Sequence, residues 1–156
     1  MPSYAIEFVP LDWGRFDEVL ALAFAVLYEP FGLSWPEELS RGADWMHPAA
    51  GTHVAVAIAE GGEVLGTARL LPAAGDAERQ VRQMAVSPEA AGLGIGRALM
   101  LAIESVAAEE GARETWLNSR DTAYGFYQAL GYVLEGEEFV SEITGIVHRP
   151  ARKRLA

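Results

Sequence analysis

The chain has 156 residues, 51% of them hydrophobic and 22% charged, which suits one compact domain spanning 1–156 with a core of its own. Twenty-two acidic against twelve basic side chains give a formal charge of −10, which repels nucleic-acid backbones and weakly favours small cationic partners. There is no cysteine, and the three histidines (His47, His53 and His148) match no common zinc spacing, so no disulfide, cysteine nucleophile or metal site is expected.

The longest apolar run, Val19–Tyr28, falls far short of the roughly 20 residues that cross a bilayer, and reads as a buried helix. The start "MPSYAIEFVPLDWG" has neither the basic nor the apolar stretch of an export signal. A cytoplasmic protein with no nucleic-acid and no membrane partner is the expectation.

"YAIEFVPL" alternates apolar and polar residues and predicts a first strand ending at Pro10. Val19, Leu20, Ala23, Val26 and Leu27 fall at helical spacing and predict a helix from Phe16 to Pro30. "FGLSWPEELSRGADW", with Pro36 followed by two glutamates, has the composition of a second helix start. "THVAVAIAE" and "EVLGTARLLP", separated by Gly61 and Gly62, read as a hairpin. A third run, Arg79–Val86, alternates Val81, Gln83 and Ala85 against Arg82, Met84 and Val86 before Pro88 stops it.

Ile95, Ala98, Leu99, Ala102, Ile103 and Val106 then predict a helix over 94–110 ended by Gly111. "RETWLN" is a short strand, "DTAYGFYQAL" a short helix capped by Gly131, and "YVLEGEEFV" and "GIVHRPARKRL" are two closing strands. The basic cluster Arg149, Arg152, Lys153 and Arg154 reads as a solvated terminus. The order β-α-α-β-β-β-α-β-α-β-β is mixed α/β, with one crossover, 79–86 to 94–110 to 113–118, whose two strands should be parallel.

"AAGLGIGRAL" places Gly92, Gly94 and Gly96 between the third run and its helix. There the first N–H groups of a helix lack partners and its dipole is positive, so a turn free of β-carbons can wrap a phosphate, with Arg97 adding a charge. The competing reading is close helix-to-sheet packing at Gly94 or Gly96. A dinucleotide fingerprint would need a glycine where Arg97 stands, and no Lys-Ser/Thr pair makes a P-loop.

"VRQMAVSPEAAGLGIGRALM" resembles the signature strand, turn and helix of the GNAT acyltransferases, whose turn has the pattern Gln/Arg-x-x-Gly-x-Gly/Ala. The glycines map to Gly94 and Gly96; the first position falls on Ala91, which lacks the family's polar side chain. "LNSRDTAYGFYQALGY" is similar to the family's second cofactor motif at Asn118, Ala123, Phe126, Tyr127, Gly131 and Tyr132, and the ending "GIVH" resembles the ElaA-like branch. The resemblance in element order covers nearly the whole chain, with 31–52 generic. It implies a mostly antiparallel sheet with a splayed parallel pair at its centre, and acetyl-CoA as cofactor.

By that resemblance, Ala91, Gly92, Leu93, Gly94, Ile95, Gly96 and Arg97 hold the diphosphate. Met84, Ala85, Val86 and Asn118 serve the pantetheine, and Ala123 and Phe126 complete the cofactor site. The N–H of Val86 would stabilise charge growing on the thioester carbonyl. Asn118 is alternatively a turn or cap residue, although Asp121 competes better for the cap.

The phenol of Tyr127 suits protonation of a leaving thiolate, since its pKa of roughly 10 exceeds a thiol's roughly 8.5. Buried aromatic packing is the alternative for Tyr127, and Tyr124 is a candidate pocket wall. Glu29, Glu142 and His148 are candidate bases, with a water chain as a substitute. Met84 and Trp116 suit packing beside the cofactor or in the core. Trp13, Phe31, Trp35 and Trp45 line an acceptor groove or simply pack.

The expected activity is acetyl-CoA-dependent N-acetylation of a primary amine, on a small molecule or peptide, by direct attack; a homodimer is plausible. The rival readings are a non-catalytic acyl-CoA-binding module and an ATP- or NAD-binding enzyme, the latter disfavoured by the missing lysine and third glycine.

Overall fold

The computed structural model describes residues 3–33, 46–75, 77–142 and 144–156. The second helix start expected within "FGLSWPEELSRGADW", and with it Trp35 and Trp45, lies outside the described residues.

The strands are β1 (Tyr4–Val9), β2 (His53–Ala59), β3 (Val64–Leu70), β4 (Glu78–Val86), β5 (Glu114–Arg120), β6 (Val133–Leu134), β7 (Phe139–Val140) and β8 (Val147–Arg154). They form one eight-stranded sheet in the order β1-β2-β3-β4-β5-β8-β6, with β7 also paired to β8. Only β4 and β5 run parallel, at the centre; the remaining pairs are antiparallel. The helices are α1 (Phe16–Leu27), α2 (Ile95–Glu109) and α3 (Tyr124–Ala129). The architecture is the mixed α/β fold expected, and among the described residues no helix is long and apolar enough to cross a membrane.

The period of two along β2 explains why helices cover both faces. Val54 and Val56 meet Phe16 and Val19 of α1, whereas Ala55 and Ala57 join Leu70, Ile95, Leu99 and Ile103 under α2. Small residues face α2 because that helix sits very close to the sheet. A β-carbon on Gly66 of β3 would lie 2.9 Å from the Ile95 side chain, 3.1 Å from that of Leu99 and 3.2 Å from the Ala85 carbonyl.

Three sequence expectations need correction. First, β4 does not alternate regularly. Thr67 pairs with Ala85 but Arg69 with Arg82, so β4 carries one extra residue, and Gln83 takes a left-handed φ of 56° within that bulge.

Second, "YVLEGEEFV" is not one strand. Gly136, at a φ of 68°, turns the chain between the two-residue β6 and β7, which contact different parts of β8.

Third, the basic cluster is not a solvated terminus, because it lies in β8 and two of its members, Arg152 and Lys153, are held by carboxylates from distant elements. Arg152 pairs with Glu78, Glu114 and Glu135. Lys153 Nζ donates to Glu104 Oε1 at 2.7 Å, and the other oxygen of Glu104 accepts from the Tyr132 hydroxyl at 3.0 Å. That hydroxyl also meets Thr115 Oγ1 at 2.8 Å, so one buried network ties α2, β5 and β8 to the end of α3.

Replacing Gly66 by Ala should destabilise the fold by about 1–3 kcal/mol, because the new methyl must push α2 off the sheet. A lowered denaturant midpoint at constant m-value is the expected reading. An unchanged midpoint would mean that α2 is not held at this distance by Gly66.

Candidate functional site

β4 and β5 are paired only from Glu78–Gln80 to Glu114–Trp116. Beyond that point the bulge at Gln83 carries β4 away, and the separated ends bound a cleft of about 600 Å³. Ser87 N–H donates to Leu65 O at 2.8 Å. In an antiparallel ladder successive residues face opposite edges, so the N–H and C=O of Val86 point into the gap. Met84 lines the cleft, and Ala85, paired to Thr67, is buried beside it.

The glycine turn leads from β4 into α2. Gly92 and Gly94 take left-handed φ values of 82° and 76°. A β-carbon on Gly92 would meet nothing within 4 Å, and one on Gly94 only the Tyr4 hydroxyl, at 3.9 Å. No side chain caps α2, and its first closing bond runs from Ala98 N–H to Gly94 O. The N–H groups of Ile95, Gly96 and Arg97 therefore have no helical acceptor. This open, side-chain-free cradle fits a phosphate-sized anion. Arg97 is exposed in the first turn; Ala91 is exposed and extended, presenting only a methyl group.

Gly96 plays a different part from Gly94. A β-carbon there would come within 3.0 Å of Phe126 and 3.1 Å of Met84. Gly94 thus faces open space, whereas Gly96 allows close packing. Leu93 lies between Gly92 and Gly94, its carbonyl accepting from the Tyr4 hydroxyl at 3.1 Å.

The cleft brings together several of the side chains expected from sequence. Asn118, Ala123, Tyr127, Glu142 and His148 all line it. Tyr127 is 7% exposed, with Phe126 edge-on at 4.9 Å and Tyr132 at 5.7 Å between ring centres. Burial pushes its pKa far above that of a free phenol, against a smaller opposing pull from Arg120, so its hydroxyl keeps its proton throughout the neutral range.

His148 lies across from Arg120 on neighbouring strands and stacks on Phe139 at 5.6 Å. Its Nδ1 is 2.9 Å from the Ile146 carbonyl, which can only accept. In the neutral ring the proton therefore sits on Nδ1, with Nε2 as the acceptor. Glu142 is exposed.

Other candidates lie elsewhere. Glu29 is exposed in a short 3-10 turn after α1 and does not line the cleft. The hydroxyl of Tyr124 donates to Glu138 at 3.4 Å, and Tyr124 is not among the cleft-lining residues. Trp13 packs beside Phe16 beneath the Arg15 guanidinium. Trp116 is half-buried within β5, opposite Arg152. Asp121 does not cap α3, whose N-cap is Ala123 with no side-chain bond, and Asn118 lies within β5.

Three residues at the cleft were not singled out by sequence: Tyr28, Gln83 and Arg120. Gln83 Nε2 donates to the Tyr28 hydroxyl at 2.7 Å, while its Oε1 is shut off from solvent with no partner among the described residues. Arg120 Nη2 donates to Leu27 O at 2.6 Å. The bulge that aims Gln83 has no glycine or proline to announce it.

The family model for the acetyltransferase (GNAT) family matches residues 17–132. Solved structures of the same fold include a Lactobacillus plantarum protein provisionally classed as an N-acetyltransferase (23% identity, 99% of each chain, TM-score 0.81). Escherichia coli ElaA matches at 16% identity over 98% of this chain and 99% of its own, with a TM-score of 0.75. An aminoglycoside 6'-N-acetyltransferase complexed with coenzyme A matches at 16% identity over 97% of each chain, also with a TM-score of 0.75. With about three quarters of its length under the family model, the chain belongs to the GNAT acetyltransferase family.

Proposed function

We propose that the protein is an acetyl-CoA-dependent N-acetyltransferase that transfers an acyl group to a primary amine by direct attack. One observation carries this reading: the bulged β4 that parts from β5 to form the cleft lined by the buried, protonated Tyr127 leads directly into an uncapped, side-chain-free helix start. The family uses acetyl-CoA, which supplies an activated thioester when bound.

In this reading the N–H groups from Gly92 to Arg97 bind the diphosphate, and the missing polar side chain at Ala91 removes one further contact. The free edge of β4 at Met84 and Val86 aligns the pantetheine, with Ala85 between them paired to Thr67, Asn118 opposite, and Ala123 and Phe126 as apolar walls. Val86 N–H stabilises the oxyanion of acyl transfer. Tyr127 holds the proton that the departing thiolate takes.

His148 Nε2 is the better candidate base, because its Nδ1–H is already fixed on Ile146 O. Glu142, more exposed, is the second candidate. No activated nucleophile for a covalent intermediate stands in the cleft among the described residues, which supports direct attack.

Tyr127→Phe should lower kcat by about a hundredfold at neutral pH while leaving the KM for acetyl-CoA nearly unchanged. Steady-state kinetics read this directly; equal losses in both constants would assign Tyr127 to binding. A protein that only stored acyl-CoA would lose nothing measurable by this change.

Gly94→Asp should weaken coenzyme A binding at least about tenfold, since Asp tolerates the left-handed backbone but sets a negative charge at the cradle. Gly94→Asn, of similar shape without charge, should retain most of the affinity. Calorimetry that finds the two variants equal would remove the anion from this turn.

A further inference from the structure

Arg120, the last residue of β5, has no part in the chemistry above, yet it lines the cleft. Its guanidinium is half-buried, spends one donor on Leu27 O, and lies 5.1 Å from the ring centre of Phe31. No carboxylate among the described residues lies within ion-pair distance of it. Three other sheet cations differ: Arg79 is paired with Glu110, Arg152 with three glutamates, and Lys153 with Glu104.

A guanidinium cannot shed its charge at physiological pH, so drawing one out of water without a counterion is costly unless a ligand brings the anion. The direction of its pKa agrees, lowered chiefly by desolvation.

Gln83 is held beside Arg120 by the Tyr28 hydroxyl, with its amide oxygen enclosed by protein. Leu27 and Tyr28 are successive residues, so Arg120 and Gln83 are anchored next to each other at the end of α1.

Resting on the acyltransferase reading, we infer that the acceptor is an amine that also bears a carboxylate, in the manner of an amino acid. Its carboxylate is gripped by the fork of Arg120.

The test compares amino acids with their own carboxamides, and with a polyamine, as acceptors for acetyl-CoA. The wild-type protein should favour the carboxylate over its amide by about tenfold or more in kcat/KM. Arg120→Gln should bring that ratio close to one, with the KM for acetyl-CoA little changed. Arg120→Lys, which keeps the charge and can still reach Leu27 O, should restore part of it.

Equal or reversed preference in the wild type would overturn the inference, as would transfer to no carboxylated amine in the panel, or an unchanged ratio in Arg120→Gln. Coenzyme A titrated into the same wild-type preparation separates the two levels. Binding without preference for a carboxylate defeats only the acceptor assignment, whereas no binding defeats the acyltransferase reading beneath it.

Discussion

β4 parts from β5 after three paired residues, and the site depends on that parting. Two parallel strands at the centre of a sheet ordinarily satisfy each other's N–H and C=O groups along their length. Here the extra residue at Gln83 turns β4 aside, at the cost of a left-handed backbone that a side chain with a β-carbon adopts at roughly 1–3 kcal/mol. The Gln83–Tyr28 hydrogen bond offsets part of that cost and fixes the bulge to the end of α1. The exposed edge of β4 can then pair with an extended ligand as another strand would.

Close packing keeps this opening in register with the glycine turn. Gly66 lets α2 rest against β3, and Gly96 lets Phe126 and Met84 meet the first turn of α2. Phe126 in turn packs edge-on against Tyr127. A shift of α2 would therefore move the cradle and the phenol together, which links the two sequence motifs through contact as well as order. On the far side, the Glu104–Lys153–Tyr132–Thr115 network holds β8, and with it His148, beside β5.

What was legible in the sequence was local. The Gly61–Gly62 hairpin, the 3.6-residue period of α2 and the left-handed glycines of the turn each carry their signal within a few residues. The meeting of Tyr127 and Asn118 in one cleft agrees with motif order; of the candidate bases, which lie outside the motifs, Glu142 and His148 line it and Glu29 does not. What could not be read was set by partners far away in the chain. Arg152 is 74 residues from Glu78, so nothing near the basic run announced that it would be neutralised inside the sheet. Gln83 looked like an ordinary strand residue, since bulges without glycine leave no local mark, and Arg120 gained its interest only from the carboxylate it lacks. The break at Gly136 was visible as a glycine, but the pairing of β8 decides that two short strands result.

The central claim is that the free edge of β4 and the open end of α2 together receive an extended ligand with a diphosphate. Amide hydrogen exchange resolved by NMR, with and without coenzyme A, tests it most directly. Exchange should slow at Val86 and from Gly92 to Arg97, and far less at the β1–β2 side of the sheet. Unaltered exchange at those amides under saturating coenzyme A would contradict the account.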